Sequence, residues 1–223
     1  MKRIAGYALL LLALACAASH ARAQGGPPPP APAVEYDANA WKEFSSEEGK
    51  FSVRMPAEPK LNRMDVETPL GKLPAYVYVA QTGTGGYMVG YSDFPNYSET
   101  PEFAAAVFKG ARDKVMSADA ARRLLSETEI KLEGYAGREW LIADARMLYR
   151  ARTFLVKGRL YQLLFLAPNL LAFNSGHPSE NASDRTGLYE EISKRFFGSF
   201  GLLHSGASEP PPKPAGGVPP GRL

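Results

Sequence analysis

Cysteine is all but missing from this chain. The single one, Cys16, lies in an apolar N-terminal stretch. The body of the protein therefore has no disulfide, no thiol nucleophile and no thiolate metal site. Histidine is nearly as scarce. Beyond residue 23 only His177 and His204 remain, and neither has a His, Cys or paired carboxylate at metal-ligand spacing. A Ser-His-Asp triad would need one of them, and no Gly-x-Ser-x-Gly elbow is present to support it. Both are expected as surface histidines. No cofactor is expected: Gly83-Thr84-Gly85-Gly86 lacks the Lys-Ser/Thr of a phosphate cradle and leads into a strand pattern, so it reads as a hairpin turn. Facing carboxylates are also thin. Glu127, Glu129 and Glu133 lie along one strand pattern, the first two on a shared face. An edge or solvent-face role is the expectation, and a glycosidase-type pair is the sharper alternative.

A long hydrophobic run is lacking too. Residues 4–18 are apolar, but a membrane span needs about 20 residues. With Lys2 and Arg3 ahead of it and Ala21-Arg22-Ala23 after it, the segment has the layout of a secretory signal peptide over residues 1–23. The alternative is lipidation of Cys16 after Ala13-Leu14-Ala15, a poorer match to a lipobox. Either route takes the protein out of the cytoplasm, to a periplasmic or extracellular place, with no transmembrane segment after cleavage. Net charge disappears with the same segment. Loss of Lys2, Arg3 and Arg22 leaves 23 basic residues against 23 acidic. A neutral chain has no electrostatic footprint for nucleic acid.

Proline and glycine are plentiful, and they mark the boundaries. Residues 24–38 carry Gly25-Gly26 and the prolines at 27–30, and residues 205–223 repeat that character. Both read as disordered or polyproline spacers. Residues 39–204 form one block, large enough for a single domain with its own core.

The block is organised around residues 146–168, RMLYRARTFLVKGRLYQLLFLAP. Two apolar runs flank Lys157-Gly158, which suits a two-residue hairpin loop. Pairing Val156 with Arg159 puts Phe154, Val156, Tyr161, Leu163 and Phe165 on one face. Tyr149, Leu155, Leu160, Leu164 and Leu166 fall on the other. Two apolar faces predict a sheet covered on both sides. Further strands are expected at 51–55, 62–68, 75–81, 87–94, 123–132 and 138–143, with turns at 69–72 and 134–137. A helix is expected after Thr100-Pro101, with Phe103, Val107, Ala111 and Val115 on its buried stripe. A second follows a cap at Asp184, with Leu188, Ile192 and Phe196 inward. A long polar loop after Pro168 separates that helix from the hairpin. Tight turns between successive strands require antiparallel pairing. The fold class is α+β, one antiparallel sheet with helices packed on it.

Several strings together resemble a known group. They are Gly49-Lys50-Phe51-Ser52-Val53 with Met55-Pro56, Gly137-Arg138-Glu139, the hairpin strands about Lys157-Gly158, and Phe197-Gly198-Ser199-Phe200. In this order they resemble exported bacterial proteins of unknown function related to the PsbP/Mog1p-like fold. The resemblance implies an α/β/α sandwich with a central antiparallel sheet and two main helices. It implies no catalytic residues.

Two polar sets are candidate binding residues. Arg138, Arg150, Arg152 and Arg159 cluster near the hairpin with Arg146, and they would serve either as structural ion pairs or as an anion-binding surface. If Asp144 pairs with Ala145 at the reversal, Glu139 stands opposite Arg150. Tyr87 and Tyr91 share a strand face and would pack in the core or line a groove for a peptide or glycan. The expected function is that of a non-catalytic accessory or binding domain of the cell envelope, acting on an envelope protein or small ligand. A carboxylate-based hydrolase is the alternative.

Overall fold

A computed structural model describes residues 36–68, 71–169 and 182–204. The expected signal segment, most of the expected N-terminal spacer, the expected polar loop with His177, and residues 205–223 lie outside the described residues.

A short 3-10 turn, Ala38–Ala40, leads into β1 (Lys42–Ser46) and β2 (Phe51–Met55). Phe51, Val53 and Met55 are buried while Arg54 is exposed, the period of two expected of a half-buried strand. Next come β3 (Lys60–Thr68), β4 (Gly71–Thr82) and β5 (Gly85–Asp93). Helix α1 (Pro101–Ser117) follows, then β6 (Arg123–Leu132), β7 (Tyr135–Ala143), β8 (Met147–Val156) and β9 (Arg159–Pro168). Helix α2 (Ala182–Gly198) and the two-residue β10 (Gly201–Leu202) end the described chain.

Seven strands form one antiparallel sheet in the order β3-β4-β5-β9-β8-β7-β6. The central hairpin has the register expected from its turn, with Val156 opposite Arg159 and Phe154 opposite Tyr161. Lys157 and Gly158 both take positive φ, 46° and 85°. That is the primed turn whose twist matches the strands it joins. The two expected faces are also present. Phe154, Tyr161, Leu163 and Phe165 lie in one core, and Tyr149, Leu155, Leu160 and Leu164 in the other.

Each core has its own cover. On one face α1 lays down Phe103, Val107, Phe108, Ala111 and Val115. Its start is set by Thr100, whose hydroxyl accepts from the Phe103 N–H at 3.2 Å, with Pro101 in the first turn. On the opposite face α2 contributes Tyr189, Ile192, Phe196 and Phe197. This helix begins two residues before Asp184, the expected cap. Its buried stripe is centred on Ile192 and Phe196, with Leu188 only half-buried at its margin.

Beside α2 sits a second sheet that the sequence reading did not separate from the first: β1-β2-β10, antiparallel. Its defining pair joins Phe51 to Leu202, far apart in the chain, and no local pattern announces such a pairing. Two turns are also corrected. Residues 134–137 were expected to turn, but the turn is Glu133-Gly134, both at positive φ, and Gly137 stands inside β7. A Cβ at Gly137 would sit 2.5 Å from the Phe154 ring and 2.7 Å from the Thr153 carbonyl oxygen, so glycine here serves close packing. Gly71 and Lys72, expected in a turn, already belong to β4.

Candidate functional site

The four arginines do not form one patch. Alternation along β7 and β8 sends Arg138 to the α1 face and Arg150 and Arg152 to the α2 face. Arg159 sits at the far end of the hairpin, beside β5.

Each has acids of its own domain. Arg138 reaches Glu129 at 2.7 Å and Glu127 at 3.9 Å, with its guanidinium over the Phe108 ring. Arg152 donates through Nε to Glu139 and lies over Phe197. Arg150 donates through Nη1 to Glu190 at 2.9 Å and to the Ser193 hydroxyl at 2.8 Å, tying β8 to α2. Its Nε is buried without a hydrogen-bond partner among the described residues, 3.8 Å from Glu139. Arg159 holds both oxygens of Asp93, at 2.6 and 2.8 Å, and the Glu48 carbonyl at 2.7 Å, and covers the Tyr91 ring. The Asp93 hydrogen bonds hold the Arg159 guanidinium above its ordinary basicity.

The expected register of Glu139 opposite Arg150 is corrected, although the two remain 3.8 Å apart on the diagonal. Glu139 stands opposite Arg152, and Leu141 opposite Arg150. The reversal is longer than a tight Asp144-Ala145 turn. Ala143 pairs with Leu148, and Asp144 closes the loop by accepting from the N–H groups of Arg146 and Met147 and from the Tyr149 hydroxyl, at 2.7–2.8 Å. Burial works to raise the Asp144 carboxyl, but these donors and the Arg122 charge overcome it and hold it below the usual carboxylate range.

Tyr87 and Tyr91 share a face as expected, and both are buried. Tyr87 packs edge-on against Trp41 and Phe196, with its hydroxyl 2.8 Å from Thr84. Tyr91 stacks on Tyr76 beneath Arg159. Burial pushes both phenols up. Tyr87, though buried, borders a pocket of about 200 Å³ beside Gly85, Gly86 and Leu166. Around them, Tyr78 and Tyr161 clamp the β1–β2 turn: Ser46 lies 3.0 Å from the Tyr78 hydroxyl, and Tyr161 donates to the Gly49 carbonyl at 2.8 Å.

The acids read as a possible pair, Glu127 and Glu129, share Arg138. Glu127 meets Arg112 at 2.8 Å as well as Arg138. Burial raises its carboxyl, and the Arg112 hydrogen bond with the two guanidinium charges brings it below the ordinary value. Glu133 contacts His204 at 2.9 Å. Among the described residues no group of three or more His, Cys, Asp or Glu is placed to hold a metal ion. Among the same residues no helix is long and apolar enough to cross a membrane.

A cleft that the sequence reading missed lies under α2. It measures about 180 Å³ and is floored by Leu141, Leu148 and Phe165, with Tyr189 above and the Arg150–Glu190–Ser193 cluster at one end. Its mouth is Leu125, 53% exposed, at the edge strand β6. The pairing of β6 slips there: Leu124 faces Ile142 and Ser126 faces Leu141, so Leu125 is a bulge residue turned toward the cleft. The doubled leucine in an otherwise alternating strand was the available signal.

No family model matches the sequence, and no curated protein matches it. Among solved structures the chain is similar to the cyanobacterial PsbP (CyanoP) of Synechocystis sp. PCC 6803. The TM-score is 0.46 at 13% identity, over 73% of this chain and 92% of that one. It is also similar to the Ran-binding protein Mog1p of Saccharomyces cerevisiae. There the TM-score is 0.42 at 11% identity, over 73% of this chain and 95% of the other. At such identities and scores neither likeness carries over to the chemistry of this chain.

Proposed function

We propose that this chain is an exported, non-catalytic accessory or binding domain of the PsbP/Mog1p-like kind, held in the periplasm or outside the cell and acting through its surface. The observation that carries this reading is where its carboxylates go. Among the described residues, the carboxylates with shifted titration, Asp113, Glu127 and Asp144, are all held low, as stabilised anions. A general acid needs the opposite shift. Glu190, the acid at the α2 cleft, is engaged by Arg150 and Lys194. The layout of residues 1–23 supports export, and proline-rich stretches on either side of the domain would act as spacers.

Cross-linking the tagged full chain inside cells, followed by capture from the envelope fraction, tests the reading. A discrete partner in near-equal amount is expected, with a mature N-terminus at Gln24 by intact mass. Turnover of chromogenic esters or glycosides that disappears in Glu127→Gln or Glu190→Gln would overturn it in favour of a hydrolase.

A further inference from the structure

The two edges of the large sheet are unlike. On β3 the exposed positions Lys60, Arg63 and Asp65 put charge on both faces, the usual protection of an edge against pairing. On β6 only Arg123, opposite Ala143 at the strand's start, puts charge on the α2 face, and beyond it the charges lie on one face. Register with β7 puts Glu127, Glu129 and Lys131 on the α1 face. Ser126, Thr128, Ile130 and Leu132 fall on the α2 face with the bulged Leu125, and none is charged. Every residue from Arg123 to Glu129 is exposed. Among the described residues β7 is the only strand neighbour of β6, so one row of its backbone donors and acceptors is open along ten residues.

We propose that β6 is a strand-addition site for an extended peptide that alternates apolar and basic residues. Main-chain hydrogen bonds to the open row supply the affinity, and alternate side chains supply the selection. Apolar side chains on the α2 face continue the surface of Leu125 and Ile130, and one beside Leu125 enters the cleft under α2. Basic side chains on the other face stand across from Glu127 and Glu129. Glu127 already has Arg112 and Arg138 on its inner side; Glu129 also meets Arg138, at 2.7 Å, but its side chain is 81% exposed and presents its charge outward. A cross-strand pair of opposite charge favours the addition, and an acid opposite Glu129 disfavours it. A second copy is a poorer occupant: antiparallel self-pairing centred on Thr128 sets Glu127 against Glu129 twice.

This inference rests on the binding-domain reading above, and its test separates the two. The probe is a fluorescent peptide matching β6 in length, alternating lysine and valine with one valine replaced by phenylalanine. Titrated into the chain purified without residues 1–23, it is expected to bind and to slow amide exchange over residues 124–132. Weakening of at least about tenfold is expected for Glu129→Lys and for Leu125→Glu, with unchanged circular dichroism. Asp65→Lys on the β3 edge should bind as the parent does. The same peptide with alternate amides N-methylated on its pairing edge, and one with glutamate for lysine, should fail. Binding that survives N-methylation, or protection that falls on β3, overturns the proposal. So does a sedimenting dimer that Glu129→Lys disperses, which gives the edge to a second copy. A partner captured equally by the parent and by Glu129→Lys and Leu125→Glu also overturns it, while leaving the binding-domain reading intact.

Discussion

Asp144 closes the β7–β8 reversal with three donors converging on one carboxylate, its side chain only 9% exposed. Its folded-state titration lies below the ordinary value, so its contribution to stability has a definite sign with pH. The contribution is complete above the unfolded value of about 3.9 and is lost as pH falls through the lower folded value. Asp144→Asn is expected to lower unfolding free energy at neutral pH by about 1–3 kcal/mol. Urea titrations should show the gap between parent and variant narrowing below about pH 4. A gap that widened in acid would contradict the assignment. Arg159 is committed in the same way: one guanidinium holds Asp93, the β1–β2 turn and the Tyr91 ring together. The sequence showed that arginines gather near the hairpin. It could not show their partners, because each partner depends on register and face. A difference of two residues at one reversal moves the position opposite Glu139 from Arg150 to Arg152.

Two hairpins use the same chemistry at the scale of the element. Lys157-Gly158 and Glu133-Gly134 each put a non-glycine residue at positive φ ahead of a glycine. Asparagine tolerates that conformation better than lysine. Lys157→Asn should therefore stabilise the domain by a few tenths to about 1 kcal/mol, read as a higher urea midpoint with unchanged slope. The central hairpin was legible in full because turn type, period two and apolar content all agreed. The β6–β7 hairpin was less so, because Gly137 looked like turn residue and is instead a packing position against Phe154. The cleft under α2 was not read at all. It is made by a bulge, a helix face and three strands, and only Leu124-Leu125 hinted at it. The three-stranded sheet escaped for a related reason, since its closing strand is two residues long and comes from the far end of the chain.

The described domain is built on one large sheet shared by two cores, and the chain's two tryptophans divide between them. Trp140 belongs to the α1 side and Trp41 to the α2 side. Because β8 and β9 contribute to both cores, unfolding one side should remove the support of the other. Trp41→Phe and Trp140→Phe, each leaving one reporter, are expected to give fluorescence transitions coincident with the loss of circular dichroism in each variant. A fluorescence transition displaced from that loss would mean that one cover detaches first. The small sheet has a further, mechanical consequence. Both ends of the domain run into it, β1 at the start and β10 at the finish, with β2 between them. Two register pairs, Gly201 with Ser52 and Leu202 with Phe51, hold the last strand in place, against five for the first. Tension applied through the ends would load that short ladder before it reached the seven-stranded sheet. The β2–β10 contact is thus the mechanical fuse of the domain, the joint that gives way while the large sheet keeps its register.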